Sequence, residues 1–209
     1  MPGAKGRRGV LKGLPLLPTT CVGSYAAPGW FAASLGLLRD GALGPEDEAE
    51  LFDDAIAVCV ADQLEAGVDV LCDGEFRRQR FVFELYATLG GLERLPVKRR
   101  LGVPGYDRAP RFRRTGSVSA PGGLGIVAEF EALRRCVPGR PIKIAVPGPL
   151  TFAAFIATDG AVSDLLDELV LVVRAELTGL VAAGCDYLQV DEPGLTVSPH
   201  GLSVEAGAE

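Results

Sequence analysis

Tyr187–Pro193 reads YLQVDEP, an apolar strand that runs directly into two adjacent carboxylates, Asp191 and Glu192, and is shut off by a proline. In a parallel α/β protein the carboxyl ends of the strands form the edge that binds ligands and does chemistry. The pattern recurs upstream. Val68–Glu75, VDVLCDGE, ends an apolar run in Asp73 and Glu75, and Ile142–Pro149, IKIAVPGP, ends one in a Pro-Gly-Pro turn. Leu14–Ser24, LPLLPTTCVGS, reads as an earlier strand leaving through Gly23 and Ser24 into a loop with Tyr25, Trp30 and Phe31.

Helical periods lie between these strands. Pro45–Ala66 predicts a helix: Pro45 suits a first turn, Glu46, Asp47 and Glu48 complement the positive end of its dipole, and Gly67 is placed to end it. Leu51, Ile56, Val60 and Leu64 mark its buried face. Ser163 can cap a second long helix, closed by Gly184. The long connection 76–140 is expected to hold a helix near 79–90, short strands near 97–102 and 111–118, and a helix near 124–136. Pro147-Gly148-Pro149 leads into a short helix with Phe152 and Phe155.

The expected class is α/β: about four parallel β/α units, near 17–23, 68–73, 142–147 and 185–190, adjacent in that order through right-handed crossovers. Ser24, Glu75, Gly148 and Asp191 would then share one edge. A closed barrel of this type takes about 250 residues. Only sixteen of the 209 follow Pro193, so the expectation is a partial (β/α)8 TIM barrel with an elaborated insertion after its second strand, over 14–195. A disordered basic lead-in is expected over 1–13 and a flexible tail over 196–209.

A net charge of −6 and a pI near 5.0 argue against a nucleic-acid partner, because phosphate neutralisation needs a basic face. The exception is residues 77–114, where Arg77, Arg78, Arg80, Lys98, Arg99, Arg100, Arg108, Arg111, Arg113 and Arg114 accumulate. They read either as a solvated loop surface or as a collar for an anionic substrate tail. Five cysteines without a CxxC pair or secretory signal argue against a disulfide framework, and the expected compartment is the cytoplasm. No run of about 18 apolar residues appears, so no membrane span is expected.

Gly122-Gly123-Leu124-Gly125 lacks the lysine of a phosphate loop and reads as a helix start, and the single histidine, His200, sits in the tail. The cysteines stand singly, Cys59, Cys72 and Cys185 as core, and no metal ligand set is found. The strand-flanking carboxylates remain. Asp69 is read as structural, whereas Glu75 and Asp191 could bind an amino group or accept a proton. Helix capping, or pairing with Arg77 or Arg78, is the alternative.

Four segments in order resemble the catalytic, carboxyl-terminal barrel of cobalamin-independent methionine synthase, in the superfamily that includes uroporphyrinogen decarboxylase. They are Leu17–Tyr25, LPTTCVGSY; Asp69–Arg77, DVLCDGEFR; Pro147–Thr151, PGPLT; and Gln189–Pro193, QVDEP. The resemblance implies transfer of a methyl group from polyglutamate 5-methyltetrahydrofolate to homocysteine, giving methionine. It implies that Ser24, Glu75 and Asp191 hold the amino and carboxylate groups of homocysteine, and that Phe155 stands where the family has a tryptophan on the pterin. Arg111 and Arg113 could meet the anionic tail. The family's zinc activates the acceptor thiol, but its ligands come from strands beyond the QVDEP segment. The chain is therefore expected to be incomplete alone, self-associating or pairing with a complementing half-barrel chain. The alternatives are a non-catalytic half-barrel module for binding or interaction, or a related zinc-dependent thiol transferase such as a coenzyme M transferase.

Overall fold

A computed structural model describes residues 13–78, 82–96 and 110–195. The lead-in apart from Gly13, the strand expected near 97–102, His200 and the tail over 196–209 lie outside them, as do Arg80, Lys98, Arg99, Arg100 and Arg108. The chain divides into two compact units. One comprises Met1–Phe81, Val127–Ile144 and Leu180–Leu188, the other Val82–Ile126, Ala145–Gly179 and Gln189–Glu209.

In the first unit the predicted apolar segments lie side by side in chain order. Val70 N donates to Thr19 O (3.0 Å), Leu71 N to Pro141 O (2.9 Å), Lys143 N to Leu71 O (2.9 Å) and Ile144 N to Tyr187 O (3.4 Å). The bridges Thr20–Val70 and Leu71–Ile142 are parallel, as strand–helix–strand connections require. The first two segments are nevertheless single bridges rather than the full strands expected over 17–23 and 68–73. Side chains have taken the ladder's places. Thr19 N donates to Asp69 Oδ2 at 2.8 Å, and Pro18 has no N–H to give. Gln63 engages both backbone groups of Cys72, accepting from its N at 3.0 Å and donating to its O at 2.9 Å.

Helix α1 (Gly29–Arg39) corrects the expected aromatic loop. Its glycines, Gly29 and Gly36, are poor helix formers, and burial decides the matter. Phe31, only 2% exposed, meets Phe52 at 5.7 Å and Phe76 at 4.9 Å edge-on. Helix α2 (Pro45–Glu65) starts as predicted, with Asp47 accepting the Gly44 N–H at 2.8 Å, and Gly67 follows it at φ 73°. Leu51, Ile56 and Val60 are buried, but Leu64 is 40% exposed. The inward place at that end of the helix belongs to Gln63, occupied with Cys72. Helix α3 (Ile126–Cys136) directs Ile126, Glu129, Phe130 and Leu133 inward.

The second unit holds a three-stranded sheet, of which the sequence reading anticipated the strand near 111–118 but not its partners. β1 (Gly90–Leu95) pairs antiparallel with β2 (Arg111–Ser119). β4 (Ile156–Ala157) joins the far side of β2 in parallel. The helix expected near 79–90 is absent from the described residues there, which form turns and one 3₁₀ segment, Leu85–Thr88, before β1 begins. Gly91, at φ 77°, lets the backbone press against the Ser117 carbonyl at a bulge, a place closed to any side chain. Tyr86 stacks on Phe112 at 4.3 Å and donates its hydroxyl to Phe152 O at 2.6 Å.

β3 (Ile144–Pro147) and β5 (Leu188–Asp191) form a two-stranded sheet whose last link is Gly148 N to Asp191 O, 2.9 Å. Between them run α4 (Pro149–Ala153) and α5 (Val162–Ala183). Helix α5 begins one residue before Ser163, so that serine is not its cap. Its buried Leu165, Leu169, Val172, Val173 and Glu176 follow the helical period.

Candidate functional site

The polar residues of the first unit gather where the second apolar segment ends. Gly74 has φ 68°, and a Cβ there would lie 2.8 Å from both Cys59 Sγ and Tyr25 Cβ, so only glycine fits. Glu75 follows at φ 57°, the only non-glycine with positive φ among the described residues. That backbone costs an L-residue roughly 1–2 kcal/mol, and strain of this kind concentrates at functional sites. Hydrogen bonds hold it. Glu75 N donates to Asp73 Oδ1 (3.0 Å), Arg78 N donates to Glu75 O (2.9 Å), and Ser24 Oγ donates to Glu75 Oε2 (2.8 Å). Glu75 is 6% exposed and Ser24 is exposed, so the carboxylate sits at the inner end of a polar pair that reaches solvent through the serine.

Arg77 and Arg78, the alternative partners for this carboxylate, form ion pairs with other acids. Arg77 pairs with Asp53 and lies over the Phe52 ring at 5.4 Å. Arg78 places Nε and Nη2 on Glu129 Oε2 at 2.7 and 2.6 Å. Desolvation pushes the Glu129 pKa up, outweighing the pull of Arg78. Asp73 Oδ2, Arg77 Nε and Arg78 Nη1 are buried without a hydrogen-bond partner. Sequence reasoning missed Glu129, although a signal existed: it shares the Ile126, Phe130 and Leu133 face of α3, where an acid needs a partner.

In the second unit the two adjacent carboxylates have different surroundings. Glu192 caps α4, accepting from Leu150 N (2.9 Å), Thr151 N (2.8 Å) and Thr151 Oγ1 (2.7 Å). It is structural. Asp191 is half-buried and accepts from Gln189 Nε2 at 2.6 Å. Phe155 lies just past α4, half-buried, its ring edge-on to Phe83 at 4.8 Å. Arg111 and Arg113 stand on β2 opposite Leu95 and Glu93, and Arg113 is exposed. Their neighbour Arg114 is bound to Glu168 at 2.7 Å.

Zinc finds no fit among the described residues, where no three His, Cys, Asp or Glu side chains converge as ligands. Burial raises the Cys59 thiol to about 12 and the Cys72 thiol to about 11, the reverse of what a thiolate ligand needs. No described helix is long and apolar enough to cross a membrane.

Comparison with known proteins points one way. The family model described as the catalytic domain of cobalamin-independent synthase matches residues 17–203. A methionine synthase of Sulfurisphaera tokodaii is 35% identical over 198 residues, 94% of this chain and 57% of its own. One from Saccharolobus solfataricus is 34% identical, covering 91% and 57%. The chain thus spans a little over half the length of these relatives. A B12-independent methionine synthase from Shewanella sp. W3-18-1, solved in complex with selenomethionine, superposes with a TM-score of 0.70 at 30% identity, covering 88% of this chain and 54% of that one. A putative B12-independent methionine synthase from Listeria monocytogenes shares the fold, with a TM-score of 0.63 at 21% identity.

Proposed function

Because this chain belongs to the cobalamin-independent synthase catalytic-domain family, we propose that it binds the amino-acid end of homocysteine and takes part in its methylation from 5-methyltetrahydrofolate to methionine. The observation that carries this reading is the 2.8 Å Ser24–Glu75 contact on a strained backbone. A carboxylate is the natural partner of an α-ammonium, and a serine hydroxyl can donate to an α-carboxylate. The Shewanella relative was solved with selenomethionine, an analogue of the product, which supports the same class of ligand here.

Asp191 is the proposed second partner of the ammonium, Phe155 an aromatic face for the pterin, and Arg111 and Arg113 contacts for the glutamate tail. These assignments rest on the motif matches and on the chemistry of the side chains. The described residues do not fit zinc; this chain's proposed part is to bind the acceptor and orient it. In the same reading the fold is a partial (β/α)8 barrel, supported by the parallel order of the segments and the likeness to the Shewanella enzyme. The chain is proposed to be cytoplasmic and to self-associate or pair with a complementing chain. β5 ends its sheet among the described residues and carries Val190 at 48% exposure, which supports such a pairing.

Calorimetric titration with L-methionine and with L-homocysteine tests the proposal. Saturable binding of either that is lost on Glu75→Gln is the expected result. Absence of heat with both at millimolar concentration would overturn it.

A further inference from the structure

We propose that the buried Arg78–Glu129 pair is a positioning device for Glu75: by clamping the end of the turn Glu75–Arg78 to α3, it holds the left-handed backbone that presents the Glu75 carboxylate to its ligand. The inference rests on the reading of Glu75 as the residue that receives the substrate ammonium.

The bonds from Asp73, Ser24 and the Arg78 amide secure the turn to its own neighbourhood and to the Ser24 segment. The Arg78 side chain joins it to α3, as Arg77 joins it to α2 through Asp53. Its Nε and Nη2 both reach Glu129 Oε2, at 2.7 and 2.6 Å, and Glu129 sits on the inward face of α3 with Ile126, Phe130 and Leu133. Packing on that face leaves the acceptor oxygen little room to shift.

As a stability element the pair is poor. Its side chains are 2% and 10% exposed, and taking two charges out of water costs more than their attraction returns unless the remaining polar atoms are satisfied. They are not, since Arg78 Nη1 and the nearby Asp73 Oδ2 lack hydrogen-bond partners. What the pair supplies is geometry. Two N–H groups of one planar guanidinium converging on a single oxygen define both distance and direction, and the turn they anchor contains the strained Glu75.

Arg78→Met combined with Glu129→Leu removes the clamp and both charges of the pair together, so thermal stability should be kept. The readouts are hydrogen exchange at the Glu75 and Arg78 amides and calorimetric titration with L-methionine. At least tenfold faster exchange, with at least tenfold weaker methionine binding and an unchanged Tm, is expected. Unchanged exchange overturns the proposal, as does faster exchange with wild-type affinity. If the wild-type chain binds no methionine, the ligand reading fails by itself and the exchange comparison still decides the clamp. Should the double variant not fold, the same exchange comparison on Glu129→Gln, which keeps the shape and loses the charge, decides it.

Discussion

Glu75 and Gly148 show opposite uses of one position. Glu75 bears a side chain where the backbone favours glycine, and its local bonds offset that strain. Glu75→Gln keeps the shape and an acceptor for Ser24 but offers no charge to an ammonium. We expect methionine affinity to fall at least tenfold, about 1.4 kcal/mol, in calorimetry, with a small change in Tm. Gly148 has an ordinary φ of −81°, yet a Cβ there would run into the Glu192 carboxylate that caps α4. Gly148→Ala must dislodge that carboxylate from Leu150 and Thr151, and we expect a loss of about 1–3 kcal/mol in denaturant unfolding.

Gln63 and Glu168 each join two elements through buried or half-buried polar bonds. Gln63, 2% exposed on α2, serves both backbone groups of Cys72. Gln63→Leu leaves that buried N–H and C=O unsatisfied, so a loss of about 2–4 kcal/mol is expected by urea unfolding. Glu168 on α5 receives Val118 N, Ser117 Oγ and Arg114 Nη2 from β2. Desolvation alone would raise its pKa, but those three donors outweigh it and hold the carboxyl below its ordinary 4.5. The unfolded chain therefore takes up the proton first as pH falls. The stabilisation is complete above about 4.5 and is lost as pH drops through the lower folded value. Glu168→Gln should flatten this part of the acid-unfolding profile followed by circular dichroism.

For the whole protein the open question is what lies beside β5. An end strand with an exposed apolar residue invites pairing, and β5 carries Val190 at 48% exposure. We expect a dimer or larger species in sedimentation velocity at micromolar concentration. A monodisperse monomer that binds no hydrophobic dye would contradict that assembly.

The sequence by itself determined the family, the order of the parallel segments, α2 with both of its ends, and the positions of Glu75 and Asp191 at segment ends. Those features are local: apolar runs, a proline at a helix start, and glycines where φ must be positive carry their meaning within a few residues. The tertiary structure decided what depends on distant partners. Burial of Phe31 made α1 a helix despite two glycines, and the Asp69 and Gln63 side chains shortened the strands beside them. The sheet of β1, β2 and β4 needs pairing across an insertion, which no local period encodes. The different surroundings of Asp191 and Glu192, and of Arg77 and Arg78, arose the same way. Adjacent residues look alike in sequence until each finds its own partner, two residues away for Asp191 and tens of residues away for Glu192, Arg77 and Arg78, and a carboxylate's chemistry is set by that partner and by its burial.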